Sequence, residues 1–268
     1  MTDEASSLRA VLEPIVRRAG ALLLASRATM DTGAVERKSS SLDLVTEVDR
    51  QSQALLQAEL ERAFPGETIV AEEGSEAHAR RGGRCWLVDP LDGTTNFVHG
   101  LPLFCVSVAR LQDGVLECGM IYAPRLDELY WSARGAGAYR DLQRLSVSKQ
   151  PLLDDALLCT GFPYDIRTHP DDNLREWSHL ALRCRGLRRT GSAALDLAWV
   201  ASGHYDGFWE YRLGPWDFAA GALMVREAGG CLTDPRGSEE FPWHGNVVAT
   251  NGTLHADLLH ELRQARRT

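Results

Sequence analysis

The residues best suited to chemistry lie in the stretch Trp86 to Gly100, WLVDPLDGTTNFVHG. Its apolar approach, Cys85 to Val88, reads as a short buried strand. The stretch then turns polar: Asp89 and Asp92 flank Pro90 and Leu91, and Gly93, Thr94, Thr95 and Asn96 follow. Pro90 has no N–H and disfavours helix at Asp89, so the strand is predicted to end there. Gly93 admits backbone angles closed to bulkier residues, and Thr94, Thr95 or Asn96 could then cap a short helix. Two carboxylates at the C-terminal end of a strand suit a hard cation such as Mg²⁺. Free N–H groups at the start of a helix suit phosphate oxygens. Asp-Pro and Asp-Gly are each common turn dipeptides, but the set Asp89, Pro90, Asp92, Gly93, Thr94 is far rarer. It points to a site for a phosphate ester and its metal.

The elements that must position this stretch can be read from periodicity. Leu8, Val11, Leu12, Ile15, Val16, Ala19, Leu22 and Leu23 recur at helical spacing, predicting a helix from about Ser6 to about Ser26. Gly20 within it lowers propensity but allows close packing. Thr29 to Leu42 reads as a polar loop or hairpin carrying Lys38. Asp49 opens a second helix, to about Phe64, with Ala54, Leu55, Ala58 and Leu60 inward and Pro65-Gly66 as its stop. Asp49 itself suits the positive end of that helix's dipole. Thr68 to Ala71 is a short strand with Glu72 and Glu73 at its end. Adjacent residues on an extended chain point opposite ways, so only one glutamate should face the site. Phe104–Leu111, Val115–Tyr122, Glu128–Ser132 and a hairpin near Tyr139 predict an antiparallel meander.

After about residue 150 strands and helices alternate, an α/β pattern. Strands are predicted at Leu152–Cys159, Tyr205–Tyr211, Cys231–Thr233 and Asn246–Thr250. Helices are predicted at Asp171–Cys184, Ala193–Ala201 with Ser192 as its cap, Pro215–Ala228 and Leu254–Arg266. Arg185, Arg188 and Arg189 form a basic cluster close to Gly191-Ser192. The expected organisation is one domain over residues 1–268, with half 1 at about 1–150 and half 2 at about 151–268. The site would lie in the crevice between them.

Bulk properties narrow the function. The chain has 268 residues, 44% hydrophobic and 25% charged, as in ordinary globular proteins. A formal net charge of −8 argues against nucleic-acid binding, though bound cations would let the protein take an anionic substrate. The six cysteines include no C-x-x-C pair and are expected reduced and buried, as in a cytoplasmic protein. The MTDEASS start is no secretory signal, and no apolar run is long enough to cross a membrane.

Four segments together resemble the inositol monophosphatase family: DLVTEVD (Asp43 to Asp49), VAEEGS (Val70 to Ser75), WLVDPLDGTTNF, and WDFAAGALMVREAGG (Trp216 to Gly230). The resemblance implies an α+β to α/β fold, the layered αβαβα sandwich shared with fructose-1,6-bisphosphatase. It implies a Mg²⁺-dependent, lithium-sensitive phosphomonoesterase acting on inositol monophosphate, with histidinol phosphate or fructose 1,6-bisphosphate as rival substrates. It assigns Glu72, Asp89, the Leu91 carbonyl and Asp92 to a first metal, and Asp89, Asp92 and Asp217 to a second. Two or three Mg²⁺ per site are implied, with Mn²⁺ as a substitute, and Asp49 approaches the further one. The neighbourhoods of these carboxylates hold no paired His or Cys at ligand spacing, which favours an oxygen-preferring ion. Glu72 and Thr94 would orient the attacking water, and the Gly93, Thr94 and Thr95 amides would hold phosphate. Gly191, Ser192, Ala193, Glu210 and Asp217 would meet the alcohol half of the substrate, and Lys38 would lie near the site. A homodimer is implied, with Phe104 to Tyr122 as the candidate contact. A regulatory protein retaining the fold is the alternative of another class.

Overall fold

The computed structural model describes residues 3–29, 36–37, 44–45, 47–72, 83–241 and 243–267. Helices α1 (Asp3–Thr29) and α2 (Glu47–Ala63) form an outer layer, and between them β1 (Glu36–Arg37) pairs antiparallel with β2 (Leu44–Val45). Beneath them lies a seven-stranded sheet of β3 (Thr68–Ala71), β4 (Arg84–Asp92), β5 (Cys105–Gln112), β6 (Val115–Ala123), β7 (Glu128–Ala133), β8 (Gly137–Arg140) and β9 (Gln143–Arg144), paired in that order. Only β3 and β4 pair in parallel; the rest is an antiparallel meander. The short helix α3 (Thr94–His99) follows β4.

The second half supplies β10 (Leu157–Thr160), α4 (Leu174–Leu180), β11 (Gly186–Arg188), α5 (Ala193–Ala201), β12 (Gly207–Glu210), α6 (Pro215–Glu227), β13 (Cys231–Thr233), β14 (Val247–Thr250) and α7 (His255–Ala265). Its sheet has the order β11-β10-β12-β14-β13, parallel around β10 and antiparallel around β14. Helices α5 and α6 lie between the two sheets, and α4 and α7 cover the far side of the second. The result is the expected αβαβα stack. Each sheet is apolar on both faces because each face meets a helix layer.

Close approach sets the spacing of these layers. A Cβ on Gly119 of β6 would stand 2.7 Å from Ala220 Cα on α6, and one on Gly20 of α1 would stand 2.5 Å from the Tyr122 ring. Packing thus explains Gly20 in mid-helix, as the sequence suggested.

Several local expectations need correction. Helix α1 extends three residues further at each end than its apolar spacing indicated. The buried face of α2 is Asp49, Ser52, Leu56 and Leu60, while Ala54 and Ala58 are exposed. Two polar residues occupy that face because Ser52 donates to Pro90 O (2.9 Å) and Asp49 accepts from Thr94, so apolar spacing alone chose the wrong stripe. Strand β4 does not stop at Asp89 but continues to Asp92. Its pairing with β5 skips between those two residues, which places Pro90, without an N–H, where no ladder bond is needed. Helix α4 is shorter than Asp171–Cys184 because Asn173 adopts φ 67°, outside the helical region. Strand β11 forms within what read as a basic cluster. The run Phe104 to Tyr122, expected at a dimer contact, is mostly buried inside the monomer between α1 and α6.

Substituting Gly119→Ala presses a methyl against the backbone of α6. The urea midpoint should fall by the equivalent of about 1–3 kcal/mol with an unchanged m-value; an unaltered midpoint would show that the layers can separate freely.

Candidate active site

The end of β4 and the start of α3 build one wall of a cavity. Gly93 is the N-cap of α3 at φ 91°, and a Cβ there would stand 2.8 Å from Leu103 O and 3.3 Å from Gly191 O. Both its conformation and its crowding require glycine. None of Thr94, Thr95 or Asn96 caps the helix, since Thr94 is already its first residue. Buried Asn96 instead donates to Leu103 O (2.6 Å) and Thr190 O (2.8 Å), tying α3 to the segment before α5.

Asp92 makes the central contact. Its Oδ2 accepts from Ser192 Oγ (2.6 Å) and from the Ala194 N–H (2.8 Å), with Cys105 Sγ at 3.6 Å. Ser192 is the N-cap residue of α5, but its hydroxyl makes no cap hydrogen bond. Asp92, reaching across from the first sheet, satisfies a free amide of that helix and sits at the positive end of its dipole. Asp89 holds one oxygen against its own chain, Oδ1 accepting from Leu91 N–H (3.0 Å). Asp217, in the first turn of α6, accepts from Gly214 N–H at 2.7 Å. Thr94 directs its hydroxyl to Asp49 Oδ1 (3.1 Å) and Leu91 O (3.2 Å).

The cavity, about 690 Å³ with its open mouth, is lined by residues from both halves. The expected site residues Glu72, Asp89, Leu91, Asp92, Gly93, Thr94, Gly191, Ser192, Ala193, Glu210 and Asp217 all belong to its wall. Asp49 stands behind the wall, buried, on Thr94. Thr95 is exposed and outside the lining, and His99 is exposed at the end of α3. Lys38 and Glu73 lie outside the described residues. The cavity also takes in Phe162, Tyr164, Arg189 and Arg212, which the site residues predicted from sequence did not include. The loop sequence TGFPYD and the basic cluster beside Gly191 were the available signals. Of that cluster only Arg189 lines the cavity, while Arg185 pairs with Asp155 (2.7 Å).

The electrostatics follow from collecting acids in a confined space. Burial, then the charges of Glu72, Asp92 and Asp217, push the Asp89 carboxyl well above its ordinary range. Asp217 is raised by burial and by Glu72 and Asp92. Burial pushes Asp92 up to about 6 against the lowering effect of its hydrogen bonds from Ser192 and Ala194. Glu210 is pushed up to about 8 by burial, although Arg189 pulls it down. Among the described residues no three such side chains are drawn into a ready-made metal cage, as befits like charges facing one cavity. The donors that line it are carboxylate oxygens and the Leu91 backbone, with no His or Cys. This set fits a hard divalent ion.

These shifts fix a stability profile. A carboxyl raised in the folded state contributes stability that is complete below its unfolded pKa, about 4, and is lost as pH rises through the folded value. The metal-free protein should therefore lose Tm between about pH 4 and 8 as Asp92 and then Glu210 ionise. Glu210→Gln should raise Tm relative to wild type more at pH 8 than at pH 5. Equal differences at both pH values in scanning fluorimetry would contradict this assignment.

Comparison with known proteins agrees with this geometry. The model of the inositol monophosphatase family matches residues 4–267. An inositol-1-monophosphatase of Mesorhizobium japonicum is 42% identical over 87% of this chain and 90% of its own. The Nus factor SuhB of Pseudomonas aeruginosa is 44% identical over 91% of each chain. The solved inositol monophosphatase of Anabaena (Nostoc) sp. PCC 7120 superposes with a TM-score of 0.87 at 39% identity, covering 97% of this chain and 96% of the other. Similarity over nearly the full length of each, on a fold whose cavity collects the acids of both signatures, means that the chain belongs to the inositol monophosphatase family.

Proposed function

We propose that this phosphoric monoester hydrolase releases phosphate from inositol monophosphate with Mg²⁺ as its cofactor. The observation that carries the reading is the shared cavity of Glu72, Asp89, Leu91, Asp92 and Asp217, bordered by Gly93 and Thr94 at the start of α3. Glu72, Asp89, the Leu91 carbonyl and Asp92 would hold one ion, and Asp89, Asp92 and Asp217 a second. A third would lie near Asp49, and Mn²⁺ would substitute. Bound divalent ions supply Lewis-acid polarisation and lower the pKa of a water.

The chain's own residues supply position and proton handling. Thr94 has one hydroxyl proton, and its contacts with Asp49 and the Leu91 carbonyl occupy it. Its oxygen is then an acceptor toward a water in the cavity. Glu72, half-buried at the end of β3, is the second acceptor and takes the water's proton. The Gly93, Thr94 and Thr95 amides at the helix start have no partner within the helix and suit phosphoryl oxygens. Gly191, Ser192 and Ala193 border the alcohol half. Ser192 acts there through its backbone or as an acceptor, because its proton is given to Asp92. Glu210, held partly protonated up to about pH 8, can both donate to and accept from a substrate hydroxyl.

Histidinol phosphate and fructose 1,6-bisphosphate are the rivals on the same core. We also place the protein in the cytoplasm as a homodimer; among the described residues no helix is long and apolar enough to cross a membrane. A second reading, a regulatory interaction protein, has a specific support: several similar proteins are named Nus factor SuhB.

Treatment with EDTA should abolish phosphate release from inositol 1-phosphate and added Mg²⁺ restore it, with Li⁺ inhibiting; full activity in EDTA would end the metal-dependent reading. Thr94→Ala should lower kcat by about 10²–10⁴ with little change in KM, measured by steady-state phosphate release. Preference by kcat/KM across the three esters decides the substrate. A transcription factor captured equally by wild type and Asp92→Asn would support the regulatory reading.

A further inference from the structure

Gly161, Phe162, Pro163 and Tyr164 line the cavity on a wall separate from β4 and α3, and this loop is pinned at both ends. At one end Asn173, fully buried, donates from Nδ2 to Thr160 Oγ1 (2.8 Å) and to Gly161 O (2.7 Å). Its Oδ1 accepts from Trp209 Nε1 (2.6 Å), which couples the loop to the strand carrying Glu210. Gly161 also packs directly on Glu210, whose carboxyl occupies the space a Cβ would need. At the other end Asp165 pairs with Arg212 at 2.5 Å. Between the pins, Ile166 N–H donates to Pro163 O (3.0 Å) and closes a turn with Tyr164 at its first corner.

Phe162 packs against Trp177, with ring centroids 5.6 Å apart. Tyr164 lines the cavity at its mouth and keeps 50% of its surface exposed. A tyrosine hydroxyl keeps its proton at neutral pH. The hydroxyl is therefore a donor on an apolar ring, a combination suited to a polyol edge. The amides assigned to phosphate come from a different wall, built by the first half of the chain.

We propose that Tyr164 is a specificity-determining residue that contacts the alcohol half of the ester, its ring against the carbon skeleton and its hydroxyl to a substrate hydroxyl. The proposal rests on the phosphomonoesterase reading above. The test compares inositol 1-phosphate with ethyl phosphate, whose alcohol half is a single ethyl group with no further hydroxyl, in wild type, Tyr164→Phe and Tyr164→Ala. Tyr164→Phe should lower kcat/KM for inositol 1-phosphate by about three- to tenfold, the loss of one neutral hydrogen bond, and Tyr164→Ala by more. Both should leave ethyl phosphate within about twofold, since nothing assigned to phosphate is touched. Equal losses on both esters, or an unchanged ratio, would overturn the proposal. Should wild type prefer histidinol phosphate to inositol 1-phosphate, the substrate reading fails, and the same ratio taken against ethyl phosphate with histidinol phosphate still decides the role of Tyr164.

Discussion

One carboxylate joins the two halves of this protein. Asp92 ends the strand that carries the first signature, and its Oδ2 receives the hydroxyl of Ser192 and the amide of Ala194 from a helix a hundred residues away. Charge-assisted bonds of this kind are among the stronger ones available to a folded chain. Here they also decide geometry: α5 cannot shift without moving a candidate metal ligand. Asn96, bonded to Thr190 O from the other side of the same turn, closes the joint. The cavity is therefore as well placed as the sheet-to-helix packing beneath it.

The same arrangement costs stability. Asp89, Asp92 and Asp217 bring like charges together in a part-buried space, and each is pushed toward its neutral form. A fold selected only for stability would avoid this. Strained and repulsive groups persist where the surroundings over-determine them, and here each of the three has one oxygen fixed by an N–H or O–H donor. One oxygen of each acid is thus held in place by the folded chain itself.

Glycine and alanine make the joint possible. The two layers meet through Gly119 against Ala220, and Gly93 passes close to the carbonyls of Leu103 and Gly191. Small residues at these points let β4, α5 and α6 approach until Asp89, Asp92 and Asp217 share one cavity. The small residues Ala219, Ala220, Gly221 and Ala222 near the start of α6 are all buried.

Much of this was legible in the amino-acid order. The glycine needed at position 93, the strand Thr68–Ala71 and the helix Ala193–Ala201 follow from local rules, because alternation, helical period and turn chemistry are properties of neighbouring residues. What the order could not carry is which distant groups meet. The polar contacts of Ser52 and Asp49 rotated the buried face of α2, and pairing with β5 drew β4 past Pro90. The acceptor offered by Asp92 took the Ser192 hydroxyl away from its own helix. Tyr164, Arg189 and Arg212 reach the cavity only because the second sheet stacks on α5 and α6. Those outcomes depend on register and layer stacking, which act across a hundred residues and leave no periodic trace in any one segment.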